Sequence, residues 1–106
     1  MAEQYRQGDI LLIKVRPRPH AGATSVPPVD GRLILAYGEQ TGHAHAIDAT
    51  LAELFEEQQG QLYLRVARPA PLVHEEHAPI VVDPGWYSVI RQREYLPGMS
   101  WGIVGD

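Results

Sequence analysis

The sequence predicts an all-β fold, a small antiparallel β-barrel or sandwich with little helix. Three observations predict it. Turn residues recur roughly every ten residues, the stretches between them are short and rich in β-branched and aromatic side chains, and no long segment carries a convincing helical period. The 106 residues, 44% of them hydrophobic, suit one domain over 1–106 that buries a single core.

Each element follows from its neighbours. Gly8-Asp9 precedes an apolar run over 10–16, read as a strand that stops at Pro17. Prolines 17, 19, 27 and 28 then fill a loop at about 17–31, a surface excursion or a flap, where neither a helix nor a central strand survives. Residues 32–37 form the next strand, closed by Gly38, and Thr41-Gly42 turns the chain into a short strand over 43–47. The segment 50–59 reads two ways. Thr50 and Glu53 make a capping-box pattern with Leu51, Leu54 and Phe55 at helical spacing, yet residues 54–56 and 62–66 flank Gln58-Gln59-Gly60 as hairpin arms do. The clean alternation of Leu62, Leu64 and Val66 favours the hairpin. Pro69 and Pro71 break the chain before residues 72–76, and Pro79 opens a strand over 80–82. Pro84-Gly85 has the central residues of a type II turn, and a long strand over 86–95 runs to Pro97-Gly98. The last residues, 99–106, pair as an edge strand or fray.

Composition narrows the function. The chain has no cysteine, so it has neither a disulfide framework nor a thiolate metal site. Its net charge of −4 gives no electrostatic reason to bind nucleic acid. Apolar runs fall well short of the roughly 20 residues of a membrane span. Residues 1–6 lack the apolar stretch of a signal peptide, and the expected location is the cytoplasm.

The chemistry gathers at histidine. His43 and His45 are two apart, so on a strand their imidazoles share one face, as a divalent transition metal requires. His74 and His77 are three apart and converge only if a bulge or turn lies between them. Glu75 and Glu76 stand beside them as a general base or as support for the ligands. His20, among the loop prolines, reads as solvated surface. Gly38 and Gly42 lack the strand–loop–helix setting of a phosphate cradle, and Ser88 and Ser100 have no base nearby in sequence. Lys14, Arg16, Arg18, Arg91 and Arg93 with Tyr63, Trp86 and Tyr87 read as a solvated outer face before a nucleic-acid patch.

Two resemblances carry further expectations. Gly38…His43-x-His45 followed by the Pro84-Gly85 turn resembles the paired motifs of the cupins, small β-barrels that hold one metal inside. The Gly-to-His spacing is one residue short, and Ala49 and Thr50 stand where the cupin pattern has a Glu. The phrases Arg6-Gln-Gly-Asp-Ile, Gly42-His-Ala-His, His74-Glu-Glu-His-Ala-Pro-Ile and Arg91-Gln-Arg-Glu-Tyr are similar to those of a family of small uncharacterised bacterial and phage-borne proteins. That similarity implies a compact β-domain and no particular activity.

The leading expectation is a metal-dependent hydrolase acting on an ester, lactone or phosphoester. His43, His45, His74 and His77 bind a divalent transition metal, zinc first and Fe, Mn, Ni or Co next, with Glu75 or Glu76 as base. With iron, the same open site activates dioxygen. The partner is a small-molecule substrate, and open strand edges allow a homodimer. The alternative is a non-catalytic binding or adaptor module whose histidines are structural.

Overall fold

The computed structural model describes residues 3–16, 22–37 and 42–91, and its ten strands form two antiparallel sheets. The strands are β1 (Gln4–Gln7), β2 (Ile10–Val15), β3 (Thr24–Ser25), β4 (Arg32–Tyr37), β5 (Ala44–Asp48), β6 (Ala52–Glu56), β7 (Leu62–Val66), β8 (Ala70–His74), β9 (His77–Val82) and β10 (Gly85–Arg91). One sheet has the order β1-β2-β10-β7-β6-β3, the other β4-β5-β8-β9. Neither order closes on itself, so the fold is the sandwich form of the expectation and not a closed barrel. No helix occurs among the described residues.

Alternation along the strands builds the core. Ile10 and Leu12 of β2, Tyr87 and Val89 of β10, and Leu64 and Val66 of β7 are buried on the inner face of the larger sheet. Leu33 and Leu35, Ile47, Leu72 and Val82 meet them from the smaller sheet. Each such side chain contributes about 1.5–3 kcal/mol of transfer free energy on full burial. Segment 50–59 takes the hairpin form, with β6 paired to β7 and Leu54 opposite Leu64. There the two leucines share the core face, and this burial outweighs a local helical preference.

Several elements depart from the sequence reading. β1 is a strand that the short polar run Gln4–Gln7 did not announce; it pairs with β2 through the two-residue turn Gly8-Asp9, with Gly8 at φ 58°. β3 is a two-residue edge strand on β6 inside the proline-rich loop. Pro84-Gly85 does not make a type II turn. Gly85 lies at φ 150°, not near the roughly +80° of that turn, and the chain there crosses from one sheet to the other. The basic-aromatic patch also dissolves: Lys14 stands opposite fully buried Tyr87 on the inner face, whereas Trp86 stacks on Phe55 outside. Arg18, His20, Arg93, Ser100, segment 38–41 and everything beyond Arg91 lie outside the described residues.

Polar side chains fasten the sheets where β1 flanks β9. The Asp83 amide donates to Tyr5 Oη at 3.1 Å, and the Tyr87 hydroxyl donates to the Asp83 carbonyl at 2.7 Å. The Tyr5 and Tyr87 rings meet edge to face, and burial pushes the Tyr87 phenol up. A separate turn is set by Asp48, whose Oδ1 accepts from the Thr50 amide and hydroxyl at 2.8 and 2.7 Å. Both bonds favour the charged carboxylate and hold its pKa below the ordinary value, the Thr50 amide most of all. This stabilisation is therefore present above the unfolded-state pKa and lost as pH falls through the lower folded one. Asp48→Ala is expected to melt earlier than the parent at neutral pH. The gap in Tm should close in acid, as measured by melts across a pH series.

Candidate metal centre

The sequence brings the histidines together in three steps. His43 and His45 lie at the start of β5 and two residues apart, so they share a face as expected, although His43 itself falls just before the strand. Ala44 and Ala46 alternate with them on the other face and so do not border the rings. Next, β5 pairs with β8 so that Ala46 faces Val73 and Ile47 faces Leu72. Continuing that register sets His45 beside His74, and their ring centroids lie 4.3 Å apart. Finally, Glu75-Glu76 form the two-residue turn between β8 and β9, which makes His74 and His77 a cross-strand pair. This is the turn that the spacing of those histidines required. Pro79 is tolerated because the β8–β9 register shifts between Leu72 and His74 and because β9 is an edge strand.

All four expected imidazoles therefore form one cluster. The His43 and His74 centroids are 5.8 Å apart, those of His74 and His77 4.8 Å, and those of His45 and His77 5.9 Å. Within it, one donor atom each from His43, His74 and Glu75 lies within 4.8 Å of the others. His45 and His77 stand beside this group and outside it. His43 and His74 are half-buried and Glu75 is exposed, so the group opens to solvent.

The carboxylates have distinct positions. Glu75 accepts the Ala44 amide at 2.9 Å, and that bond, aided by its own amide and the nearby His43 and His74, holds its pKa below the usual carboxylate value. Glu76 Oε2 lies 3.4 Å from His43 Nδ1. The Glu76 amide donates to His74 Nδ1 at 3.0 Å.

Sequence reasoning missed three residues of the β1–β2 hairpin, Gln7 at the end of β1 and Gly8 and Asp9 in its turn. His45, 1% exposed, is held between Gln7 Oε1 at Nδ1 (2.9 Å) and Asp9 Oδ1 at Nε2 (3.0 Å). Burial lowers its pKa, and the neighbouring His74 and His77 add to this while Asp9 opposes it. Gly8 is the third. A Cβ there would stand 2.6 Å from His77 Nε2, so the missing side chain makes the seat of that ring. Gly8→Ala is expected to displace the His77 ring and to cost about 1 kcal/mol for the left-handed backbone. A crystal structure with His77 unmoved and an unchanged melting point would contradict this.

A family model described as a domain of unknown function (DUF8820) matches residues 6–92. No curated protein and no solved structure matches the chain. The expected ties to cupins and to phage-borne proteins gain nothing from these comparisons.

Proposed function

Because the chain belongs to the DUF8820 family, whose description names no activity, we propose from its own geometry that it is a metal-dependent hydrolase. The observation that carries this reading is the convergence of His43, His74 and Glu75 donors within 4.8 Å, beside two further imidazoles. Two nitrogens and one carboxylate oxygen are the donor set of a catalytic zinc site, which keeps a fourth position for water. Zinc there lowers the pKa of bound water to about 7 and supplies a nucleophile at neutral pH. His43 would hold the ion through one ring nitrogen, with Glu76 beside its Nδ1 to orient the ring. Glu75 serves as a ligand on this reading, not as the base. His74 would hold the ion through a ring nitrogen, and its Nδ1 accepts the Glu76 amide in this structure. The substrate is a small ester, lactone or phosphoester, and the setting is cytoplasmic, in keeping with a chain free of cysteine.

One observation favours a structural use of the same ion. Glu75 and Glu76 already tie the β8–β9 turn to Ala44 and His43, so a bound metal would clip β5 to that hairpin. The two uses separate in one experiment. Purified protein is analysed for metal, then assayed on chromogenic carboxyl esters and phosphodiesters before chelation, after it, and after zinc is restored. The hydrolase reading expects turnover that chelation removes and zinc returns. Metal that raises the melting point without turnover supports the clip, and a protein that takes up no metal refutes both.

A further inference from the structure

A second pair of donors lies at His45, drawn from both sheets. Gln7 Nε2 donates to the Leu72 carbonyl at 2.8 Å and to the Ala78 carbonyl at 3.0 Å. Both amide hydrogens are thus committed, and only Oε1 is left to face the imidazole. That oxygen lies 2.9 Å from His45 Nδ1 and so requires a proton on that nitrogen. The lone pair of the neutral ring then sits on Nε2, which faces Asp9 Oδ1 at 3.0 Å. With a neutral ring, electron pairs oppose each other across that gap unless a positive charge, a proton or a metal ion, lies between them.

A cation resolves the opposition. A nitrogen and an oxygen that bind one metal ion at about 2.0–2.2 Å stand roughly 3–3.5 Å apart, so these two atoms need to part only slightly to share one. An Nδ1–H bonded to a fixed oxygen is also the outer-sphere support that orients metal-binding histidines. Neither atom belongs to the group formed by His43, His74 and Glu75. We propose that His45 Nε2 and Asp9 Oδ1 are ligands of a second divalent cation, with Gln7 the positioning residue that fixes the ring tautomer. The first ion rests on the reading above; this one does not. The sequence points to one ion among the histidines, and Asp9 reaches the site only through the fold. Were both ions bound, the pair would supply chemistry suited to displacement at phosphorus, and this preference for phosphoesters rests on the first site as well.

Zinc stoichiometry and affinity, measured by calorimetry and native mass spectrometry, test this on the parent, on Asp9→Asn and on a His43→Ala/His74→Ala double variant. Asp9 is a partly exposed side chain, and asparagine can donate to Nε2, so that variant keeps the fold while removing a ligand. The parent is expected to bind about two zinc ions and each variant about one, as a two-metal site requires. Long-range 1H–15N spectra should show His45 protonated at Nδ1 alone, with Nε2 shifting on zinc addition in the parent and not in Asp9→Asn. Gln7→Leu should lose that single tautomer. A parent with one zinc ion that Asp9→Asn keeps at unchanged affinity overturns the second site and leaves the first. One ion lost in Asp9→Asn but kept in the double variant does the reverse. A His45 ring protonated on both nitrogens at neutral pH, paired to Asp9 with no room for metal, overturns the proposal outright.

Discussion

Replacing His74 by alanine is expected to weaken zinc binding at the His43–Glu75 group about a hundredfold or more, with the fold retained. Loss of a residue that merely supports a ligand costs 10–100-fold in affinity, and His74 is itself one of the three donors. Its ring also touches the imidazoles of His43, His45 and His77, so its removal leaves the other groups without a common centre. The side chain is only half-buried at the end of a hairpin, so the stability change should be small, about 1 kcal/mol. Calorimetric zinc titration, paired with circular-dichroism melts, checks both halves. Unchanged affinity in a folded variant would falsify the site.

The second large effect falls on stability. Gln7→Leu keeps the volume of a 2%-exposed side chain but strands three polar groups: the Leu72 and Ala78 carbonyls and His45 Nδ1. An orphaned buried group costs about 1–3 kcal/mol. Water can enter beside Asp9 and relieve part of this, so about 3 kcal/mol is expected in all. For a domain of this size that lowers Tm by roughly 10–20 °C. Denaturant melts should show it as a lower midpoint. Gln7→Glu should be at least as damaging, because a carboxylate sets a negative oxygen against two carbonyl oxygens. A melting point within a degree or two of the parent would mean that the strap between the sheets carries no weight.

These two residues show why the sequence was informative in one place and silent in another. His43 and His45 were legible because a strand's period of two places them on one face without knowledge of anything else. His74 and His77 were half-legible: their spacing required a turn between them, but Glu75-Glu76 lacks the glycine or asparagine that marks a two-residue hairpin. Gln7 and Asp9 were invisible as partners of His45, since they meet it across 38 and 36 residues of chain. One local signal was available, because Gly8-Asp9 before an apolar strand is itself a hairpin turn and would have revealed β1. The strands at 10–16 and 32–37 came through as expected because turn residues bound short apolar runs, and 62–66 because burial on one face leaves a clear alternation. The 50–59 segment did not decide itself, and pairing with β7 settled it.

The edge strand β9 bears on how the molecule behaves in a crowded solution. Val81 is 56% exposed on that strand, an oily side chain beside an unpaired rim. Yet at two successive positions its backbone has little to offer a passing chain: Gln7 already binds the Ala78 carbonyl, and Pro79 has no amide hydrogen. Those two positions weaken this border as a template for strand-by-strand polymerisation.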